Sequence, residues 1–273
     1  MDLFHELTIS DQDFQRLVQF MQKNYGIDLS KKKTLITSRL SHTLKERGYT
    51  SLESFLERLF SRRDPDDVEL ILNKLTTNYT YFLREPDHFA YLQKTILPEL
   101  EKRHQRDHVL SIWSAGCSSG EEPYTLSIYL KEYFGAKASQ WDTRVLATDI
   151  SQQAMAKAKT GLYHVPADMP NDWLKRYFTF DKATGMYSVG PVIRKNVIFR
   201  PFNLMDPIQF RLKFDVIFCR NVMIYFNQAT RDDLVRRLCD ALNPGGYLFV
   251  SHSESLGQDP KFRLVAPSIY QKK

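Results

Sequence analysis

Cysteine is scarce and poorly spaced for a structural role. The 273-residue chain has three, Cys117, Cys219 and Cys239, far apart and without a CxxC pair. That argues against a disulfide framework or a structural zinc site, and for reduced thiols in a cytoplasmic setting. Glycine and proline, at 11 and 12 residues, are too few for a fibrous or low-complexity chain. No apolar run approaches about 18 residues, and the start, Met1 to Phe14, has acids where a signal peptide has bases. A membrane-spanning or conventionally secreted product is therefore not expected. P-loop, GxGxxG and HExxH motifs are also missing. What is present is enough hydrophobic sequence, 42%, to build a core, and a net charge of +6 that favours acidic partners.

Up to about residue 75 the pattern is helix after helix. Apolar Phe14, Leu17, Val18 and Met21 predict a helix over Asp11 to Tyr25, closed by Gly26. Leu35, Ile36, Leu40 and Leu44 predict a second over Ser30 to Glu46, with Gly48 beyond its end. Two shorter helices follow over Ser51 to Arg62 and Pro65 to Leu75, the latter with Asp64 as cap and Pro65 at its first position. Beyond a connector at about 76–90, short apolar strands alternate with helices. Strands are expected over Val109 to Ser114, Arg144 to Asp149, Val197 to Arg200, Phe214 to Cys219 and Gly246 to Val250. Helices are expected over Pro123 to Phe134, Gln152 to Lys159 and Gln228 to Leu242. The alternation predicts an α/β fold with a mostly parallel, doubly wound sheet. Between Asn171 and Phe199, apolar runs at Tyr177, Met186 and Val192 separated by turns read as two or three antiparallel strands inserted into that scaffold.

The first strand leaves through Gly116, Cys117, Ser118, Ser119 and Gly120 into Glu121 and Glu122. Two glycines allow a sharp turn and a close ligand approach, while two carboxylates at a helix start oppose a phosphate. A cationic or neutral ligand suits them, and S-adenosylmethionine, with a sulfonium, an ammonium and no phosphate, is such a ligand. Asp149 closes the second strand, where an acid accepts ribose hydroxyls; its bland reading is a cap on the next helix. Asn203, after the third strand, is placed to read an adenine edge.

Four strings then make the sequence resemble the chemotaxis receptor methyltransferases, the CheR-type protein-glutamate O-methyltransferases. They are Asn78 to Glu85 (NYTYFLRE), Ser114 to Tyr124, Ala147 to Ile150 (ATDI) and Phe218 to Phe226 (FCRNVMIYF), supported by His252 to Glu254. The resemblance spans nearly the whole chain. It implies an all-α N-terminal domain (1–75), a connector contributing to the active site (76–90), and a Rossmann-like S-adenosylmethionine-dependent methyltransferase domain (91–273). A β-subdomain at about 171–199 would be inserted in the last of these. By matched position, Asn78, Thr80, Arg84, Gly116, Glu122, Asp149, Asn203, Leu204, Arg220 and Asn221 would bind the cofactor. Arg84 and Tyr225 would lie nearest the transferred methyl as catalytic residues. Leu83, where the family usually has phenylalanine, and Cys117 are departures that remove no polar group.

The implied reaction transfers a methyl group to glutamate side chains of chemoreceptors, with S-adenosyl-L-homocysteine as the other product. Such a carboxylate is ionised at neutral pH, so neither a general base nor a metal is needed, and the absence of a nucleophile–histidine constellation is expected. Lys32, Arg39 and Arg47 belong to a basic concentration on the second helix that reads as a docking face for the acidic, helical cytoplasmic region of a receptor, against the blander reading of a solvated surface. The insertion could hold a receptor C-terminal tail. No nucleic acid and no membrane insertion are expected. A nucleic-acid methyltransferase is the first rival, but Arg220 and Asn221 stand where amino-methylating enzymes usually carry Asp/Asn-Pro-Pro-Tyr/Phe, and Cys219 lacks the proline of a cytosine-C5 nucleophile. The second rival is a non-catalytic adaptor.

Overall fold

The computed structural model describes residues 7–62, 64–76, 78–165 and 169–273; the acids of residues 1–6 lie outside them. The chain forms two compact units: Met1–Asn78 with Tyr225–Arg231, and Tyr79–Ile224 with Asp232–Lys273.

The first unit contains α1 (Asp11–Tyr25), α2 (Lys33–Glu46), α3 (Leu52–Arg62) and α4 (Pro65–Leu75). Sequence chemistry sets their ends. The Ser10 hydroxyl accepts the Asp13 N–H at the start of α1, and Gly26 ends it at φ +71°. The Asp64 carboxylate caps α4 ahead of Pro65. Leu17, Met21, Ile36, Leu40, Leu44, Phe55 and Leu59 form a core with at most negligible exposure. Helix α2 starts at Lys33 rather than Ser30, because Asp28 Oδ1 takes the Ser30 N–H and Leu29 carbonyl takes the Lys32 N–H, forming a turn first. Tyr225–Arg231 joins this unit through an antiparallel bridge between Ile27 and Phe226 and a 2.8 Å bond from Asp28 N–H to the Tyr225 carbonyl.

The second unit is built on a seven-stranded sheet. Helices α5 (Pro86–Tyr91) and α6 (Leu97–Arg103), joined by a π-helical turn, precede β1 (Ile112–Ala115), α7 (Glu121–Phe134), β2 (Val145–Asp149) and α8 (Gln152–Thr160). Next come β3 (Leu162–Tyr163), α9 (Asn171–Tyr177), β4 (Phe178–Asp181), β5 (Met186–Val189), α10 (Pro191–Lys195) and β6 (Val197–Pro201). Strand β7 (Phe214–Phe218), helix α11 (Gln228–Ala241) and strands β8 (Leu242–Phe249), β9 (Phe262–Ala266) and β10 (Ile269–Lys272) complete the chain. The strand order is β6-β2-β1-β7-β8-β10-β9. The five strands from β6 to β8 pair in parallel, whereas β10 runs antiparallel to both its neighbours. Order reverses beside β1, so the exits of β1 and β7 flank the crevice where open α/β sheets bind ligands. Both faces are covered, and β1 and β7 are buried along their whole length as parallel strands require.

A second sheet, β3-β5-β4, is antiparallel. It differs from the expected insertion in two ways. Its third strand is β3, upstream at Leu162, and the run from Val192 that reads as a strand is helix α10. Pro191 at the first helical position and the Gly190 carbonyl accepting from Ile193 and Arg194 turn that β-branched run into a helical turn.

Candidate active site

Four loops at the C-terminal edge of the parallel strands supply the site, and their backbones are unusual. Outside glycine, positive φ occurs among the described residues at Leu83 (62°), Glu85 (57°), Ser118 (49°) and Asn221 (58°), besides His108 and Ser268. Leu83 and Glu85 lie in the connector before α5, Ser118 in the β1 exit and Asn221 in the β7 exit. Left-handed backbone costs roughly 1–3 kcal/mol at such residues and persists where the surroundings over-determine it.

The β1 exit is shaped by its glycines. Gly116 has φ +83°, and a Cβ there would lie 2.4 Å from Val222 Cγ2 in the β7 exit; only glycine lets these two loops interlock. Asp149 ties the β1 and β2 exits: its Oδ2 accepts the Ser118 N–H at 2.7 Å and its Oδ1 the Ser151 N–H at 2.9 Å. Half-buried, it serves as loop anchor and local cap at the end of β2, where a ribose contact is expected. Asn203 Oδ1 accepts the Met205 N–H, and the buried Leu204 offers its carbonyl to Arg237. Asn221 is held by its N–H to Glu254 Oε2 at 2.9 Å. The same carboxylate accepts from Ser251 and, through Oε1, from Ile224, so Glu254 fastens the β7 exit to the β8 exit.

Arg220 is the electrostatic hub. Its side chain is 2% exposed, with Nη1 3.0 Å from Glu122 Oε2 and Nη2 3.0 Å from Glu85 Oε2, and it also donates to the Arg84 carbonyl. Its guanidinium carbon sits 5.5 Å from the Phe89 ring centroid and 6.0 Å from that of Phe218. Ser114 donates to the other Glu122 oxygen at 2.7 Å. Burial pushes the Glu122 carboxyl above the usual range, and the Arg220 charge opposes that shift. Glu121, beside it, is raised by burial against the Ser119 hydroxyl that bonds it. Behind Glu85 lie His88, fully buried with neither ring nitrogen hydrogen-bonded, and His252. Burial and then Arg220 depress the His88 pKa to about 4, so it is neutral at ordinary pH. Glu85, His88 and His252 place potential ligand atoms within 4.8 Å of one another. The positive charge beside that cluster is Arg220's, on the same Glu85 oxygen.

Arg84 completes the set. Leu83 N–H reaches Thr125 Oγ1, Phe82 packs edge-on to Tyr163 and Phe178, and Arg220 takes the Arg84 carbonyl. With its backbone pinned, the half-exposed Arg84 guanidinium donates to the Tyr79 carbonyl at 2.9 Å and has no carboxylate partner among the described residues. Thr80 lies half-buried just before this segment.

Two family models cover the chain: the CheR methyltransferase SAM binding domain over residues 78–270 and the CheR all-alpha domain over residues 12–76. The chain belongs to the CheR methyltransferase family. It is 38% identical over 276 residues to a chemotaxis protein methyltransferase of Borreliella burgdorferi, covering 97% of this chain and 96% of that one. It is 37% identical to chemotaxis protein methyltransferase 1 of Pseudomonas aeruginosa, covering 93% and 94%. Identity to the Escherichia coli chemotaxis protein methyltransferase is 32%, over 99% and 94%.

S-adenosylmethionine is the cofactor of this CheR domain, and the residues fit it. The crevice offers carboxylates and small residues, Asp149 would be the residue to take hydroxyls and Glu122 the one to take an ammonium, and no lysine or arginine lies between Ser114 and Tyr124 to hold phosphate. Of the expected residues, the structure brings Arg84, Glu122 and Arg220 together, and joins Gly116, Asp149 and Asn221 through their loops. Arg220 directs its guanidinium to three protein acceptors, Glu85, Glu122 and the Arg84 carbonyl. Asn78 and Tyr225 belong to the first unit. So do Lys32, which stands before α2 rather than on it, Arg39, which donates to the Lys74 carbonyl, and Arg47, 3.8 Å from the buried Asp67. Glu85, Thr125 and Glu254 were not singled out as site residues. The first and last lie inside the family-like strings, which was their only signal.

Proposed function

We propose that this protein methylates glutamate side chains in the cytoplasmic helices of chemoreceptors, forming methyl esters. The observation that carries this reading is Arg84: a half-exposed guanidinium with no carboxylate partner among the described residues, on a backbone whose carbonyl is held by Arg220 of the Glu122–Arg220 pair. A guanidinium in that setting grips an incoming carboxylate through two oxygens and sets its direction. S-adenosylmethionine supplies a sulfonium methyl. That methyl would pass to a carboxylate oxygen without any proton transfer, so no general base is asked of the protein. With a free carboxyl pKa of about 4.3, the nucleophile arrives ionised. The protein's task is alignment and exclusion of water, an effect worth roughly 7–11 kcal/mol when geometry is favourable. Tyr225 is assigned to flank the methyl, by its ring face or hydroxyl.

The receptor-facing parts of this proposal are the basic residues around the start of α2, with Lys31 and Lys32 exposed, and the free edge of β4 with its exposed Phe180. The latter could add a receptor tail as a further strand. Among the described residues no helix is long and apolar enough to cross a membrane; action on receptor cytoplasmic helices places the protein in the cytoplasm.

The test is incubation with methyl-labelled S-adenosylmethionine and either a receptor cytoplasmic fragment or nucleic acid. Base-labile label on the fragment, lost when its glutamates are replaced by glutamine, supports the reading. Label on nucleic acid, or alkali-stable label on protein, refutes it. Arg84→Ala should abolish labelling while S-adenosylhomocysteine still binds; near-normal turnover would remove Arg84 from its role.

A further inference from the structure

Two aromatic rings, not an acid, hold the Arg84 guanidinium. Its central carbon lies 5.8 Å from the Tyr79 ring centroid and 5.8 Å from that of Tyr81. The rings are 5.7 Å apart and tilted by 53°. Both face solvent, Tyr79 at 70% exposure and Tyr81 at 42%. Neighbouring large aromatic faces left open beside a cation with no carboxylate partner among the described residues mark a surface made to be covered. The rings do not belong to a loose loop. Arg84 bonds back to the Tyr79 carbonyl, Phe82 is sunk between Tyr163 and Phe178, and left-handed Leu83 and Glu85 fix how Arg84 leaves the chain. The cation and its two walls are thus prearranged before any substrate arrives.

We propose that Tyr79 and Tyr81 are substrate-contacting residues, whose ring faces hold Arg84 toward solvent and clasp the methylene stem of an acidic side chain on a protein substrate. This rests on the reading of Arg84 as partner of the substrate carboxylate. Charge complementarity and ring chemistry choose the occupant: an anionic head for the guanidinium and an aliphatic stem for the rings. The clasp needs ring faces rather than phenol hydroxyls.

The experiment compares full-length wild type with Tyr79→Ala/Tyr81→Ala and Tyr79→Phe/Tyr81→Phe. Methyl transfer to a receptor cytoplasmic fragment gives kcat and KM, and calorimetry gives S-adenosylhomocysteine affinity. For the alanine pair, kcat/KM should fall about tenfold, mainly through KM for the fragment, with cofactor affinity within about twofold. The phenylalanine pair should keep at least about half of wild-type kcat/KM. Wild-type kinetics in the alanine pair, a phenylalanine pair as impaired as the alanine pair, or a loss accounted for by weaker cofactor binding would each overturn the proposal. A wild-type protein that leaves the fragment unlabelled defeats the proposed function; labelling undiminished in the alanine pair defeats the clasp alone.

Discussion

Replacing Arg220 by methionine tests whether the hub is electrostatic. The change keeps much of the stem's bulk but leaves Glu85 and Glu122, each about 15% exposed, without the cation they share at 3.0 Å. At an effective dielectric constant of about 20, each contact is worth some 5 kcal/mol before desolvation is subtracted. Breaking a buried pair from one side costs about 3–5 kcal/mol in net terms, and because one guanidinium serves both acids the two losses do not add. All three tryptophans, Trp113, Trp141 and Trp173, lie in the second unit, so urea unfolding followed by their fluorescence reads that unit alone. With a urea dependence of about 2–3 kcal/mol per molar, the midpoint should drop by roughly 1.5 M. The loss should also depend on pH. Burial already raises the Glu122 pKa and Arg220 restrains it. Without Arg220 the folded pKa climbs further above the unfolded value. A carboxyl raised in this way leaves stability intact below its unfolded pKa and erodes it as pH rises through the folded one. The variant's deficit should therefore be smaller at pH 5 than at pH 8, and Glu122→Gln added to Arg220→Met should recover part of it. An equal deficit at both pH values, with no recovery, would show that Arg220 acts by packing on Phe89 and Phe218 instead.

Other expectations follow from single sites. His88, with its pKa depressed to about 4, leaves the folded protein short of a proton that the unfolded chain binds from about 6.5 downward. Wild type should therefore lose up to about 3 kcal/mol on acidification from pH 6.5 to 4 relative to His88→Gln, and parallel pH–stability curves would refute this. Gly116→Ala, with φ +83° and a Cβ 2.4 Å from Val222, should cost roughly 2–4 kcal/mol and cofactor affinity with it. Gly185→Ala, at φ +68° with open space around it, should cost only about 1 kcal/mol, and equal costs in thermal melts would remove the interlocking of the loops. Lys31→Glu/Lys32→Glu should raise KM for a receptor fragment and flatten its salt dependence without altering S-adenosylhomocysteine binding. Unchanged receptor kinetics would dismiss the basic surface.

Local sequence determined a good deal. Apolar spacing, Ser10, Asp64–Pro65 and Gly26 specify α1 and α4, because capping and periodicity act within a few residues. The five parallel strands are legible as short apolar runs, since strands buried on both faces need no polar alternation. Where neighbours decide, the sequence is mute. Helices α5 and α6 are not among the expected elements, although Pro86 and Pro98 sit in their first turns, a position proline favours. Strands β9 and β10 are short and half-exposed, and gain their pairing only from each other and from β8. Val192 to Lys195 has strand-like composition and became helical because of Pro191. In the site, Gly116 and Asp149 follow from what loops and ligands require, whereas Arg84 is implied only by the family resemblance. Their partners were not readable. Arg220 finds Glu85 across 135 residues and Glu122 across 98. Charge pairing at such separations depends on which strand exits the sheet sets side by side, and only the folded chain fixes that.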